Sequence, residues 1–301
     1  MLKIAFDKDY VHPLEKNHRF PMVKYELIPE QLLREGSCSN DNFFVPGIAS
    51  DDEIVMTHEP KYYDKLCSLS LSKKEERPIG FPMSAELVLR EKKIVKGTIE
   101  CCNFSIENGV AMNIAGGTHH AFYDRGEAFC ILNDQSVAAN VLLNEKKEIN
   151  KILIVDLDVH QGNGTASLFN DKEDVFTLSF HGKNNYPFRK EKSNFDLDFE
   201  DNTDDCFYLN KLKKYLPKII DNFEPDFIFY LSGVDILKND KLGKLGLSIE
   251  GCKKRDRFVL ETCKKNKIPL QVSMGGGYSS NLRDIIEAHS NTFRLAQDIF
   301  F

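Results

Sequence analysis

Asp156, Asp158 and His160 stand at every second position after an apolar run, Ile152–Val155, in the stretch KILIVDLDVHQGNGT. On an extended chain a period of two sends all three side chains to one face. Carboxylate oxygens beside an imidazole nitrogen are suitable zinc donors. Gly162 and Gly164 then let the chain turn sharply away. A buried strand ending in such residues sits where open α/β sheets place their ligands, at the carboxyl ends of the strands. The simpler reading is a helix cap or a turn, to which these residue types are equally suited. A calcium loop is excluded, because its sixth position would be Gln161 rather than glycine and its twelfth Ser167 rather than glutamate.

Three further strand ends carry unusual residues: GGTHHA around His119 and His120, SGVD ending in Asp235, and MGGGY ending in Tyr278. In a parallel sheet all four ends point to the same edge. Gly275–Gly277 do not make a dinucleotide loop, since the glycine pattern would need glycine at Ser280. Buried tandem imidazoles are costly unless both are hydrogen-bonded, so the pair His119–His120 tells more than either histidine alone. Together the four ends compose a zinc hydrolase. Asp158, His160 and Asp235 are its ligands, with an open position for water and substrate; two histidines handle protons and Tyr278 meets an oxyanion.

The elements that must position these ends alternate along the chain. Strands are predicted at Leu2–Phe6, Glu53–Met56, Val110–Ile114, Ile152–Val155, Val175–Phe180, Asp226–Leu231 and Ile268–Ser273. Helices are predicted from about Met22 to a stop at Gly36, from Ser84 as cap, after Cys130, over Phe207–Phe223 and Ser248–Lys265, and from Asn281 onward. The helix after Cys130 places Val137, Ala138, Val141 and Leu142 on one side. Thr57 reads as a helix cap, and the charged stretch Lys73–Phe81, with Pro78 and Gly80, reads as an exposed loop. The alternation predicts an α/β fold: a single-domain open, mostly parallel sheet with helices on both faces, spanning residues 1–301.

Hydrophobic content of 42% suffices for a core, and 29% charged residues is ordinary for a globular chain. A net charge of −6 argues against direct nucleic-acid binding, though it leaves room for a basic peptide as substrate. The eight cysteines form no CxxC pair and no disulfide-like framework, and all eight are expected as buried, reduced, small apolar residues. The N-terminal MLKIAFDKDY is too soon charged for a signal peptide, and no stretch approaches a membrane span. A cytoplasmic monomer is the expectation.

At this point the chain resembles a known family. It is similar to zinc-dependent histone deacetylases, most of all the class IV branch and its bacterial relatives. The segments that carry the likeness are HPLEKNHRFPMVKY, NIAGGTHHAFYDRGEAFC, VDLDVHQGNGT, NYPFRKEKSNFDLDF, GVDILKNDKLGKLGLS and MGGGYS, in that order and nearly end to end. The resemblance implies a zinc-dependent lysine deacylase acting on acyl-lysine proteins or peptides. It implies zinc on Asp158, His160 and Asp235, His120 as general base and acid, and His119 as its companion held by Asp156. Tyr278 would donate to the carbonyl oxygen, Phe129 would wall the acyl-lysine channel with Gly117 and Gly276, and Tyr186 would shape its rim. A structural potassium ion would use the side chains of Asp156 and Ser179 with carbonyls of Asp158, His160 and Phe180.

Some positions depart from the commoner patterns. Asn163, as in class IV members, stands where class I members carry an aspartate, and a neutral partner should leave His120 less basic. Ala128 replaces the usual glycine before Phe129, which should narrow the channel mouth. Class IV relatives remove long fatty acyl chains as well as acetyl, so a defatty-acylase is within the implied range. Rival readings are an arginase-like ureohydrolase, a deacetylase of a small acetylated amine, and an idle acyl-lysine-binding module. The first lacks its S-x-D-x-D ligands here; the last has no need of the complete set of ligands, histidines and Tyr278.

Overall fold

The computed structural model describes residues 1–301. Its strands are β1 (Lys3–Ala5), β2 (Phe43–Phe44), β3 (Val110–Asn113), β4 (Ile152–Asp156), β5 (Val175–Gly182), β6 (Phe195–Phe199), β7 (Phe227–Leu231) and β8 (Leu270–Ser273). Its helices are α1 (Lys24–Arg34), α2 (Asp51–Val55), α3 (Pro60–Cys67), α4 (Lys73–Ile79), α5 (Ala85–Asn108), α6 (Asp134–Glu145), α7 (Asn163–Phe169), α8 (Asp205–Phe223), α9 (Ile249–Asn266) and α10 (Leu282–Phe300).

The strands form one sheet in the order β2-β1-β3-β8-β7-β4-β5-β6, and every pairing is parallel. Every residue of β3, β4, β7 and β8 is buried, which explains why these strands read as continuous apolar runs rather than alternating ones. Both faces must therefore be covered. One helical group joins α5 to α6; a second runs through α1, α10, α9 and α8. No helix is long and apolar enough to cross a membrane.

Register does the positioning. Asn113 pairs with Ser273, Ser273 with Leu231, Leu231 with Asp156, and Asp156 with Ser179. The carboxyl ends of β3, β8, β7 and β4 thus lie in one row beside Ser179 of β5, and the loops that leave them open onto a common edge. Side-chain caps start the helices that return from that edge: Asn133 accepts from Ser136 N, and Ser248 from Gly251 N.

Three expectations about secondary structure fail. Glu53–Met56 is not a strand but the end of α2, whose Ser50 and Glu53 cap each other reciprocally. Of the apolar run that suggested a strand, Ile54 is buried while Met56 is 42% exposed. Thr57 caps no helix; Glu59 precedes α3, with Pro60 in its first turn. Lys73–Phe81 is not a loop: the same box, Ser72 with Glu75, starts α4, and Gly80 ends it at φ +79°. Pro78 is tolerated in its last turn, and buried Ile79 anchors it. The strand β6 was missed, although FDLDF alternates with a period of two. Six cysteines are buried as expected, but Cys67 and Cys206 are exposed; all eight are free thiols.

Candidate active site

Strand β4 ends at Asp156, and the chain bends from there rather than continuing extended. Asp156 Oδ1 accepts a hydrogen bond from Asp158 N at 3.1 Å, and Asp158 Oδ1 accepts one from His160 N at 2.9 Å. Carboxylates that bond their own backbone two residues on pull the chain into turns. The three side chains therefore do not share one strand face. Asp156 turns to His119, whose Nδ1 lies 2.7 Å from Asp156 Oδ2, while Asp158 and His160 curl toward Asp235.

Ligand atoms of Asp158, His160 and Asp235 all lie within 4.8 Å of one another, and all three residues are buried. His160 Nδ1 is 3.0 Å from Asp158 Oδ1 and 3.1 Å from Asp235 Oδ2. Backbone donors fix the remaining oxygens: Gly276 N reaches Asp158 Oδ2 at 2.8 Å, and Val159 N reaches Asp235 Oδ1 at 3.0 Å. Burial acts to lower the His160 pKa, but the two carboxylates outweigh it and hold the ring up at about 10. Burial and the charge of Asp158 push Asp235 upward. Two buried carboxylates aimed at one nitrogen demand positive charge between them, and this donor set fits a divalent cation such as zinc.

Glycines make the convergence possible by lacking a side chain. A Cβ on Gly276 would lie 2.0 Å from Asp235 Oδ2, and one on Gly162 would lie 2.4 Å from Asp156 Oδ2. Gly162 has φ −70°, so its use is close approach rather than the sharp turn expected from sequence. Gly117, at φ +72°, needs both the conformation and the space beside Gly275.

The tandem histidines have the partners that burial requires. His119 donates from Nδ1 to the Asp156 carboxylate, and His120 Nδ1 lies 2.6 Å from Asn163 Oδ1. Burial opposes the charged form of His119, yet Asp156 raises its pKa above the ordinary value. Burial, then the neighbouring His119 and His160, drive His120 well below its ordinary value. An amide oxygen accepts at Nδ1, so neutral His120 carries its proton there and leaves Nε2 as an acceptor. Tyr278 packs beside His160 and Phe129, with ring centroids 6.4 and 6.2 Å away. Burial, then Asp235 and Asp158, raise its pKa, so its hydroxyl stays protonated and able to donate.

Two adjoining spaces meet at these groups. An inner cavity of about 40 Å³ is lined by Gly117, Gly276, Arg90, His119 and Asp158 among others. A mouth of about 480 Å³ is lined by Tyr186, Phe188 and Leu242. His120, Ala128, Phe129, His160 and Tyr278 line both and so form the neck. Tyr186 sits edge-on to His120 at 5.0 Å, and its hydroxyl donates to Glu127 at 2.5 Å. Ala128 at φ +46° and Phe129 at φ +69° are both left-handed, and their N–H groups bond Pro78 O and Ile79 O. That backbone explains why glycine would suit position 128.

Residues 15–293 match the model of the histone deacetylase domain. The chain belongs to the histone deacetylase family. An uncharacterized protein of Picosynechococcus sp. is 40% identical over 99% of both chains. Histone deacetylase 2 of Arabidopsis thaliana is 30% identical over 93% of this chain and 75% of its own. The acetoin utilization protein AcuC of Staphylococcus aureus is 28% identical, covering 95% and 79%. A crystal structure of an HDAC homolog complexed with SAHA superposes with a TM-score of 0.85 at 24% identity, covering 99% of this chain and 84% of that one. The deacetylase fold is thereby shared, and the family is one of hydrolases that remove acyl groups.

Within this histone deacetylase domain, sequence reasoning missed the residues that hold the floor from behind. Lys24 is fully buried and donates to Gly275 O at 2.9 Å. Burial lowers its pKa to about 8 against the pull of Asp235 and Asp158. Arg255, also fully buried, pairs with Asp256 and donates to Leu157 O at 3.1 Å and Gly233 O at 2.6 Å, tying the β4 and β7 loops together. Asp240 accepts from Tyr278 N, Leu242 N and Gly243 N, at 2.6 to 2.9 Å. The one signal for Arg255 and Asp256 was a charged pair on the buried side of α9. Of the residues expected around potassium, Asp156 and Ser179 are register partners, and Ser179 Oγ lies 3.0 Å from His181 Nδ1.

Proposed function

We propose that this protein is a zinc-dependent lysine deacylase that removes short acyl groups, acetyl above all, from the ε-amine of lysine in proteins or peptides. The observation that carries the reading is the convergence of Asp158, His160 and Asp235 at the neck between the two cavities, with His120 and Tyr278 beside it. When bound there, zinc would acidify a water and polarise the amide carbonyl. The mouth takes the lysine stem, and Phe129 and Tyr186 flank it. His120 accepts the proton of the attacking water at Nε2 and returns it to the leaving amine, while Asn163 holds the ring through Nδ1. His119, kept basic by Asp156, stabilises negative charge building beside it. Tyr278 donates to the carbonyl oxygen as it becomes an oxyanion.

The inner cavity of about 40 Å³ supports a short acyl group, since a fatty chain would need several times that space. A structural potassium ion at Asp156 and Ser179, and a class IV affinity, remain part of the proposal; Asn163 at His120 supports the latter. Deacylation of one lysine peptide carrying acetyl, octanoyl or myristoyl tests the reading, with zinc content measured in parallel. Acetyl is expected to be released fastest. A preference for myristoyl would overturn the short-acyl assignment, and no turnover with zinc bound would overturn the enzyme assignment.

A further inference from the structure

We infer that the substrate of this site presents its acyl-lysine within an acidic protein segment. The inference rests on the deacylase reading and adds the sequence context. The mouth carries three cations, Arg19, Arg77 and Lys244, and no aspartate or glutamate among its lining residues. All three are exposed, and none of them makes an ion pair. They come from separate segments: Arg19 lies 5.8 Å from the Phe129 ring, Arg77 stands in the last turn of α4, and Lys244 follows the turn held by Asp240.

Two acids next to the mouth are already engaged. Glu127 accepts from Arg125 at 2.8 Å and from Tyr186 at 2.5 Å, and Asp240 is committed to three backbone N–H groups. A chain of net charge −6 thus gathers unpaired positive charge around the opening onto the reacting groups. Such charges act over about a Debye length, roughly 8–10 Å, which spans the residues flanking a lysine inserted in the neck. They would repel a basic tail or a polyamine and attract aspartate or glutamate. Phe188, 87% exposed at the same mouth, offers an apolar platform for the segment's backbone.

The test uses the zinc-loaded full chain and matched acetyl-lysine peptides flanked by glutamates, glutamines or lysines. The glutamate peptide is expected to exceed the lysine peptide in kcat/KM by about tenfold at low salt, shrinking as salt is added. The triple variant Arg19→Glu, Arg77→Glu, Lys244→Glu should reverse the order, and Lys218→Glu on α8 should keep it. Equal rates on all three peptides, or a preference that the triple variant retains, would overturn the inference while leaving the deacylase reading intact. Faster turnover of a small acylated amine bearing a free carboxylate than of every peptide would replace the protein segment as substrate. Peptide affinity by fluorescence anisotropy separates the two claims: tighter binding of the acidic peptide without turnover keeps the rim assignment and removes the deacylase one.

Discussion

At the floor of the site Asp156, Asp158, Asp235, Lys24 and Arg255 are buried, and each meets at least one fixed partner; at the mouth Arg19, Arg77 and Lys244 are exposed, and no ion pair or hydrogen bond holds their side chains. The floor holds charge in a medium where an unpaired ion costs several kcal/mol, so each group is tied to backbone or to another ion. The mouth holds charge in water, where a pair contributes roughly 0.2–1 kcal/mol and a free cation costs little. The floor is therefore intolerant of change and suited to chemistry. The mouth tolerates change better, because its charges stay in water.

The largest expected effect breaks the floor outright. Asp158→Ala or Asp235→Ala should abolish tight zinc binding and turnover together, with zinc content read by elemental analysis. Normal zinc in both variants would remove the ligand assignment. Tyr278→Phe comes next: turnover should fall about 10²–10³-fold, with metal content and melting temperature unchanged. A rate equal to the unmodified protein would end its role at the oxyanion.

Elsewhere in the core, buried His58 extends the same contrast to stability. It donates from Nδ1 to Phe122 O at 2.8 Å and accepts from Asn133 N at 2.9 Å, and burial lowers its pKa from 6.5 to about 4. Above pH 6.5 the ring is neutral whether the chain is folded or not. Below that the unfolded chain binds the proton first, so stability is lost as pH falls toward about 4, by roughly 3 kcal/mol. Denaturant unfolding across this window checks it. A His58→Gln variant with the same pH slope as the parent would show that the loss arises elsewhere.

The smallest effect lies at the neck. Ala128→Gly should raise stability by about 1 kcal/mol or less, because an alanine at φ +46° is strained where glycine is not. A lower melting temperature would mean that the methyl's packing outweighs that strain.

The central strands and the four loaded ends were legible because buried parallel strands are apolar runs, and polar residues just past such a run stand out. The short helices α2 and α4 were not read, since their composition is polar and their signal is a two-residue box, Ser50 with Glu53 and Ser72 with Glu75. Lys24 reaches Gly275 across 251 positions, and no local pattern announces such a bond. The opposite error was to read Asp156, Asp158 and His160 as one extended face, where two carboxylate turns send Asp156 to one histidine and the others toward Asp235.

The sequence by itself determined which side chains reach the carboxyl edge of the sheet, because strand ends are set by where apolar runs stop. Only the tertiary structure decided which of those side chains meet. Register across parallel strands brings the ends of β3, β8, β7 and β4 into one row, and glycines 162, 233 and 276 let carboxylates approach where a Cβ would collide. The buried cations Lys24 and Arg255 then fix the loops around them, since backbone carbonyls and carboxylates inside the protein must find partners from wherever in the chain they come.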